Sequence, residues 1–414
     1  MGLLKKRKAA VEKILGKNIH EITCLYCFKV FTHDKVLFRS HEFNDDEGCV
    51  ACPDIRLDAY RALFGNPSAG ELPEILDPET YREVEKHYHK GVLASLHDEY
   101  GGVSTRRICP YCHNDIVKNA GYSPCTIIAV AGPSHAETSV CFTSLIQTLK
   151  TVTSRNFQIF CMPLNNAVSR RFKREYEDPL NEYGRFPGPE HNEGKRELLV
   201  FTVSFAGDEM PELHVVYMNP AVKNEDNEYG EIYSALMRNA SGLIFYVDPA
   251  QINDLRKKIN PDAETENPAD PFEEPADTLA RLKEDLFFRG TGSRSATPAA
   301  ITLTKTDLLG DSLENENGDD GPNYAYPFVH KKYFNLLEYG LINRETKNIF
   351  ENADPNFYNG IKNIFNDYGF CAVSALGAIP ELICQRAVPV SPVRMDEPLL
   401  WLMYVLGFIE GRKP

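Results

Sequence analysis

The chain has 414 residues, with 45 Lys and Arg residues against 59 Asp and Glu residues, and a formal net charge of −14. A hydrophobic fraction of 43% is enough for a normal core, which excludes global disorder, and the length predicts more than one folding unit. The acidic balance argues against bulk binding of nucleic acid or of an anionic membrane surface. No apolar run approaches the roughly 18 residues of a transmembrane helix, so no membrane span is expected.

The first segment, residues 1–20, is basic and amphipathic. It has too many charges and too short an apolar run for a secretory signal peptide. Its apolar residues between Leu3 and Leu15 fall on one stripe of a helix. We therefore expect a basic N-terminal helix, and because no export signal is present, a cytoplasmic location.

The cysteines are concentrated in the N-terminal part of the chain. Six of the eleven form three C-x-x-C pairs, which are Cys24/Cys27, Cys49/Cys52 and Cys109/Cys112. Without an export signal, metal ligation explains such pairs better than disulfide bonds do. The segments ITCLYCFKVF and RRICPYCHNDI resemble each other, and two such knuckles facing one another supply four thiolates for a closed, structural zinc site.

The third pair leaves the number of metal ions open. The ligands of one zinc ion would be Cys24, Cys27, Cys109 and Cys112. Cys49 and Cys52 would then join His41 and one further ligand, either His33 or a histidine of the KHYHK segment, or remain reduced surface thiols. An all-thiolate site has no open coordination position, so its expected role is in folding or docking and not in catalysis.

The pattern of apolar residues changes near residue 120. Residues 54–100 read as helical, whereas a strand–helix alternation begins after residue 124. The apolar, β-branched runs predicted as strands lie at 126–131, 157–162, 198–205, 213–218, 242–247, 299–304 and 370–375. This alternation predicts an α/β fold with a mostly parallel sheet and helices on both faces. We expect three parts: the helix of 1–20, a zinc-ribbon module with a helical insertion over 21–120, and an α/β domain over 121–414.

Three charged segments interrupt the alternation. Residues 251–277 and 310–323 are acidic and rich in loop-forming residues, and we interpret them as solvated loops. Residues 163–197 include the basic stretch Ser169–Glu177. We interpret this segment as a charged loop and as a candidate switch.

Five segments resemble the nucleotide-binding motifs of GTPases and occur in the same order. TIIAVAGPSHAETS is a strand followed by the outline of a phosphate-binding loop, Gly132–Ser139, and we expect a helix to begin at Ser139. The next segments end strands at Asn219–Val222 and at Asp248, and the last two are Thr304–Asp307 and Ser374–Leu376.

The last two segments have the chemistry to bind guanine. A carboxylate at Asp307 can accept both N–H groups of a guanine edge, which adenine lacks. The alkyl stem of Lys305 can lie over the base plane. The backbone N–H of Ala375, which follows Ser374, can meet the guanine O6. Together with Thr304, these residues form the predicted base-binding set.

With these motifs in this order, the chain resembles the bacterial double-GTPase families of the TRAFAC-like P-loop GTPases. The resemblance extends from residue 24 to the final helix, PLLWLMYVLG, and is to the variant with an N-terminal zinc ribbon. It implies a GTPase-like fold, GTP or GDP and Mg²⁺ as ligands, and protein partners from bacterial conflict or signalling systems. Only one set of motifs is present, so a second GTPase unit would come from another chain.

The phosphate-binding end departs from this family. Thr138 replaces the loop lysine, Glu137 the second glycine, Asn219 the strand-end aspartate and Val222 the γ-phosphate-sensing glycine. Only Gly132 and Ser139 remain there. Because hydrolysis depends on positioning and charge neutralisation, we expect a pseudo-GTPase that binds guanine nucleotide weakly or not at all and presents a surface to partners.

Two alternatives stay open. The chain would be an active GTPase if a Lys or Arg from Ser169–Glu177 or from a partner completed the site. It would be a nucleic-acid-binding protein if the zinc ribbon presented a basic face. The acidic balance and the lack of interleaved basic and aromatic residues disfavour this second alternative.

Overall fold

A computed structural model describes twelve ranges of the chain. They are residues 20–41, 51–97, 102–182, 184–185, 196–206, 211–219, 227–259, 274–286, 294–309, 328–378, 383–384 and 388–413. The predicted helix of residues 1–20, except for residue 20, Cys49 and Val222 lie outside the described residues. None of the described helices combines the length and the apolar character that crossing a membrane requires.

The chain divides into two compact units. The N-terminal unit comprises Met1–Thr126, Arg196–Leu198 and Lys223–Leu236. The sheet unit comprises Ile127–Lys195, Leu199–Val222 and Met237–Pro414.

The N-terminal unit consists of short antiparallel strands and one helix, α1 (Ile55–Leu63). Its strands are β1 (Glu21–Thr23), β2 (Val30–Thr32), β3 (Leu37–Arg39), β4 (Cys52–Pro53), β5 (Glu71–Leu72), β6 (Ile75–Leu76), β7 (Lys86–His89), β8 (Val92–His97), β9 (Val103–Ser104) and β10 (Arg106–Ile108). β1 pairs with β2, β4 pairs with β5, and two three-stranded sheets have the orders β10-β3-β6 and β7-β8-β9.

The helical prediction for residues 54–100 is wrong over most of its length. Only α1 is an α-helix there, and β7 and β8 form an antiparallel hairpin. The two residues between these strands, Lys90 and Gly91, both have positive φ angles, of 48° and 79°. Such a pair makes the tight turn whose twist matches two antiparallel strands. Val92, Leu93 and Leu96 are buried, which stabilises the hairpin against the core of the unit.

The sheet unit is built on a seven-stranded sheet, and its mostly parallel character confirms that prediction. The strands are β11 (Thr126–Ala131), β12 (Ile159–Pro163), β13 (Leu198–Phe205), β14 (Leu213–Met218), β15 (Gly242–Val247), β16 (Ala299–Leu303) and β18 (Tyr368–Ala372). Their order is β12-β13-β14-β11-β15-β16-β18. β11, β15, β16 and β18 run parallel, whereas β12 is antiparallel to β13. A small parallel pair is formed by β17 (Phe334–Asn335) and β19 (Gly411–Arg412).

Helices connect these strands. They are α2 (His135–Thr148), α3 (Ser154–Phe157), α4 (Asn166–Phe172), α5 (Asp178–Glu182), α6 (Asn227–Asn239), α7 (Asn253–Ile259), α8 (Pro275–Leu286), α9 (Leu336–Ala353), α10 (Pro355–Ile364) and α11 (Glu397–Val405). Together with the sheet they make a mixed α/β arrangement that is consistent with a GTPase-like fold.

The segment predicted as the charged loop of 163–197 is largely helical where it is described. α4 and α5 are joined by the π-helical turn Lys173–Glu177. Phe172, Tyr176 and Leu180 recur every fourth residue and are fully buried. This spacing places them on one face of a helix, and their burial stabilises the segment while the basic residues between them stay exposed.

The order of the strands reverses at β11. Its neighbour on one side is β14, and its parallel neighbour on the other side is β15. In open α/β sheets, ligands bind outside the carboxyl ends of the strands at such a reversal. The segment after β11, which holds the predicted phosphate loop, therefore lies where this architecture forms its sites.

A substitution of Phe142, on α2, would test the packing of the sheet unit. Its fully buried ring contacts the rings of Phe172, Phe201 and Tyr217, with centroids 5.4 to 6.3 Å apart. We expect Phe142→Ala to lower the free energy of unfolding by about 3 to 5 kcal/mol, because it removes buried apolar area and leaves a cavity. The same change at Phe160, which is 61% exposed, should alter it by less than about 0.5 kcal/mol. Urea denaturation of both variants measures the difference, and equal losses would contradict this packing.

Candidate functional site

The N-terminal unit brings four cysteines together. Cys24, Cys27, Cys109 and Cys112 are all buried, and their sulfur atoms lie within 4.8 Å of one another. The Cys24–Cys112 and Cys27–Cys109 sulfur pairs are each 3.7 Å apart. A regular tetrahedron with Zn–S bonds of about 2.3 Å has sulfur atoms roughly 3.8 Å apart. The four side chains therefore have the spacing of a four-thiolate site for a metal such as zinc.

The two C-x-x-C segments have the same local structure. In the first, the Tyr26 N–H donates to Cys24 Sγ over 3.4 Å, and Phe28 follows with a φ angle of 55°. In the second, the Tyr111 N–H donates to Cys109 Sγ over 3.4 Å. There too the residue after the second cysteine, a histidine, has a positive φ angle, of 56°. Amide N–H groups directed at sulfur favour the thiolate, which is the form that binds metal.

The environment of the sulfur atoms also favours a bound cation. Burial and hydrogen bonds with the three neighbouring thiols raise the pKa of Cys24 well above its ordinary value. Four adjacent thiolates would repel one another in this buried position unless a cation compensated their charge. Metal binding would therefore release protons and stabilise the fold of the unit.

A buried ion pair connects the second knuckle to α1. Asp54 caps α1 by accepting the Leu57 N–H over 3.0 Å, and it pairs with the guanidinium group of Arg39, which is 1% exposed. The ring of His113, the residue after Cys112, contacts the same carboxylate at 2.9 Å. The Asp54 carboxylate therefore holds the helix, β3 and the metal knuckle in one arrangement.

A second metal site has no support in the part of the N-terminal unit that the structure describes. Cys52 is exposed on β4, and His41 is exposed as well. His33 accepts the Leu93 N–H at its Nδ1 atom over 3.3 Å. Since Cys49 lies outside the described residues, the second site stays a prediction.

In the sheet unit, the predicted phosphate loop is shorter than its motif. α2 begins at His135 and not at Ser139, so only residues 132–134 separate it from β11. Ser134 caps the helix: its Oγ atom accepts the Glu137 N–H over 3.3 Å, and its carbonyl accepts the Thr138 N–H over 3.1 Å. A phosphate bound at a helix N-terminus uses such N–H groups, and here the chain itself occupies them.

Thr138 fills the space in front of Gly132. A Cβ atom at Gly132 would overlap the Thr138 Oγ1 atom. Thr138 is fully buried, and its hydroxyl has no hydrogen-bond partner among the described residues. Ser139, the predicted magnesium ligand, is also fully buried. The two retained motif residues are therefore present, but the substituted threonine packs against the glycine.

Lys305 forms two ion pairs at the carboxyl ends of the strands. Its Nζ atom pairs with Glu137, on the first turn of α2, and donates to Asp248 Oδ2 over 2.6 Å. Asp248 ends β15 and is 3% exposed, whereas the Lys305 and Glu137 side chains are 37% and 31% exposed. We call these three residues the Lys305 triad. It joins β15, the end of β16 and α2 across the predicted site.

The triad carries a proton that its composition alone would not predict. Burial, with the hydrogen bond to Asp248 and the charge of that residue, raises the pKa of Glu137 to about 8. Burial alone would raise the pKa of Asp248, but the hydrogen bond with Glu137 and the charge of Lys305 lower it overall. Burial alone would lower the pKa of Lys305, but both carboxyl groups raise it overall. Near neutral pH the triad therefore holds one cation, one carboxylate and one protonated carboxyl group.

The two predicted base-binding segments lie side by side. They follow β16 and β18, which are parallel neighbours, and the Thr306 N–H donates to the Val373 carbonyl over 3.3 Å. Thr304 is held to β15 because its hydroxyl donates to the Val247 carbonyl over 3.1 Å. In the part of the chain that the structure describes, neither the Asp307 carboxylate nor the Ala375 N–H has a hydrogen-bond partner.

The loop at Ser374 is fixed on both sides. The Ser374 Oγ atom accepts the Gly377 N–H over 2.9 Å, and the Ala375 carbonyl accepts from Ser144 on α2 over 2.8 Å. Gly377 has a φ angle of 72°, and a Cβ atom there would overlap the Ser391 carbonyl oxygen, so the turn requires glycine. These contacts leave the Ala375 N–H at the edge of the sheet.

Sequence analysis missed the roles of two residues of the site, Ser134 and Asp248. Ser134 and Glu137 have the S-x-x-E spacing of a helix cap, a signal that predicts an earlier start of α2. Asp248 follows an apolar strand and was noted only as its end, because its partner is 57 positions away in the sequence. Asn219, at the end of β14, is fully buried.

Comparisons with known proteins give distant structural likeness only. No family model matches the chain, and no curated protein matches it. The Ski7 GTPase-like domain of S. cerevisiae bound to GTP matches with a TM-score of 0.29 and 10% identity, over 60% of this chain and 42% of that one. LeoA, a bacterial dynamin GTPase from ETEC, matches with a TM-score of 0.28 and 12% identity, over 70% of this chain and 39% of that one. The chain thus spans about two fifths of the length of these structures.

The four-cysteine cluster predicts one metal ion per chain. We expect purified protein to contain about one equivalent of zinc and Cys109→Ser to lose it. Structural zinc sites contribute on the order of 10 kcal/mol of binding free energy, so this variant should also lose the cooperative unfolding of the N-terminal unit. Metal analysis by mass spectrometry and thermal unfolding measure the two effects. Cys52→Ser, at an exposed cysteine, is the control. Loss of metal from this control would instead show that the third pair binds metal.

The raised pKa of Glu137 predicts a pH-dependent stability. Below its ordinary pKa of 4.5, the carboxyl is protonated in both the folded and the unfolded states. Between pH 4.5 and about 8, only the folded state keeps the proton, so the free energy of unfolding should fall as pH rises. The slope from one proton is at most about 1.4 kcal/mol per pH unit, and it is reduced by partial exposure. Asp248 and Lys305 titrate outside this window, because the pKa of Asp248 is lowered and that of Lys305 is raised.

Denaturation curves at pH 5 to 9 test this dependence. Glu137→Gln should have a flatter profile than the unmodified protein. Glu284→Gln, on the exposed face of α8, should keep the original slope. Parallel profiles for the unmodified protein and Glu137→Gln would exclude a raised pKa at this carboxyl group.

Proposed function

We propose that the chain is a pseudo-GTPase: a GTPase-like domain that retains a base-binding edge but does not hydrolyse GTP. One contrast supports this proposal. At the phosphate end, the groups that would bind a nucleotide are occupied by Ser134, Thr138 and the Lys305 triad. At the base end, the Asp307 carboxylate and the Ala375 N–H have no partner among the described residues.

Hydrolysis of GTP requires a cation and donors around the transferred phosphate. Lys305 is a cation at this end of the sheet, and two carboxyl groups already pair with it. At the start of α2, the Glu137 and Thr138 N–H groups already donate to Ser134. A nucleotide would have to displace these contacts before any phosphate could be held, which favours weak binding or none.

The N-terminal unit would act as a metal-stabilised docking module. Four buried thiolates leave no open coordination position, so bound zinc would support the fold and not catalysis. This role agrees with a zinc ribbon of the double-GTPase type, whose resemblance implies protein partners in a bacterial multi-protein system. The sheet unit offers a separate apolar surface for such a partner. Its edge strand β12 carries Phe160 and Met162, which are 61% and 62% exposed.

Calorimetry and a phosphate-release assay test the proposal together. We expect the purified chain to bind GTP and GDP with dissociation constants of about a millimolar or weaker and to release no phosphate above background. Glu137→Gly with Thr138→Lys restores the glycine and the lysine of the loop and removes one of the two carboxyl partners of Lys305, so this double variant should bind GDP at least tenfold more tightly. The same double change combined with Asp307→Ala is the control, and it should lose this gain.

Tight, magnesium-dependent GTP binding by the unmodified chain, with turnover, would overturn the pseudo-GTPase proposal. Turnover that arises only when a partner protein is added would support the alternative of an active site completed by a partner. Addition of RNA or DNA to the same assay examines the remaining alternative, because a nucleic-acid-binding protein should show salt-dependent association.

A further inference from the structure

The base-binding segments have groups without a partner among the described residues, whereas the groups at the phosphate end are paired within the chain. At the edge, the Asp307 carboxylate and the Ala375 N–H, which have no hydrogen-bond partner within the described ranges, follow two neighbouring parallel strands. Between this edge and the phosphate end lies Lys305, whose φ angle of 53° places it in the left-handed region. Its stem leads from the base-binding segment to Glu137. A ligand held at Asp307 would therefore reach the triad next.

The triad meets that ligand with little net charge. Near neutral pH the positive charge of Lys305 is balanced by Asp248, while burial and Asp248 keep the Glu137 carboxyl protonated. A triphosphate would have to give up much of its hydration there, where two carboxyl groups already pair with Lys305 and the Glu137 and Thr138 N–H groups already donate to Ser134. Burying anionic oxygens without such partners is costly. A ribose carries no charge, so its binding does not incur the cost of burying an anion.

Carboxyl groups are suitable partners for ribose. A carboxylate or a carboxyl group forms hydrogen bonds with sugar hydroxyls, as acidic residues do in dinucleotide-binding folds. The Glu137 and Lys305 side chains are each about a third exposed, so a ligand can reach them from solvent. Thr138 packs against Gly132, and Ser134 accepts the Glu137 and Thr138 N–H groups. A phosphate at this end of the helix would use such N–H groups, but a nucleoside would not need them.

We propose that this site takes a guanine nucleoside in preference to a guanine nucleotide, with Asp307 and Ala375 binding the base and Glu137 the ribose. This inference rests on the proposed function, because it assumes that the base-binding edge is retained. A nucleoside needs no phosphate-binding groups, whereas GMP, GDP and GTP would compete with the contacts that the chain makes at the phosphate end. The domain would then report the presence of guanosine without turning over GTP.

Calorimetry with guanosine, GMP, GDP and GTP tests the inference on the full-length, zinc-loaded chain. We expect the affinity to fall as phosphates are added, with guanosine binding at least tenfold more tightly than GTP at pH 7. Adenosine should bind at least tenfold more weakly than guanosine, and Asp307→Ala should remove this preference. The ratio of guanosine to GTP affinity should increase between pH 7 and pH 9, as Glu137 ionises. Glu137→Gln should remove that increase, whereas Glu284→Gln, an exposed control, should keep it.

The outcomes separate this inference from the proposed function. GTP binding more tightly than guanosine, but without phosphate release, would overturn the nucleoside preference and leave the pseudo-GTPase proposal standing. GTP binding with turnover would overturn both. Binding of none of the four ligands at millimolar concentration would also overturn the inference, because the base-binding edge would then not act as a site.

Discussion

The arrangement of the sheet unit at its carboxyl edge depends on the charge of Lys305. A partly buried ammonium group is unfavourable unless it is paired, and removal of one partner of a buried pair costs more than the pair contributes. Here two carboxyl groups from different elements share one lysine. The start of α2 is therefore tied to the ends of β15 and β16. In an active P-loop protein this region must instead stay open for phosphates and a magnesium ion.

The helix cap shows how a phosphate loop can close through local interactions. An N-cap serine stabilises a helix by about 1 kcal/mol, and Ser134 provides this stabilisation with groups already in the chain. Starting α2 at His135 leaves three residues between strand and helix, too few to surround a phosphate. Thr138, on that first part of the helix, then packs against Gly132. Two of the substitutions thus act together: Glu137 pairs with Lys305, and Thr138 packs against Gly132.

Sequence patterns predicted the features that depend on local periodicity or spacing. Apolar, β-branched runs gave the strands of the sheet, and the C-x-x-C spacing gave the knuckles. The features that failed depend on single residues or on distant partners. The hairpin at β7 and β8 was read as a helix because its turn is signalled only by Lys90 and Gly91. The Glu137 ion pair could not be predicted, because its partner lies 168 positions away in the sequence. The P-loop motif predicts a helix from Ser139, but the capping pattern of Ser134 and Glu137 fits the observed start at His135.

The same physical rule applies to the four-cysteine cluster and to the predicted nucleotide site. A buried polar or charged group must have a partner, and the fold supplies it either from the chain or from a ligand. In the four-cysteine cluster, the chain supplies N–H groups, and a metal such as zinc would supply the positive charge that four thiolates need. At the Lys305 triad, the chain supplies both charges, and no ion or phosphate is needed there. For the Asp307 carboxylate and the Ala375 N–H, the described residues supply no hydrogen-bond partner. The candidate ligand sites are therefore identified by the polar groups without a partner among the described residues, and not by the resemblance to a GTPase.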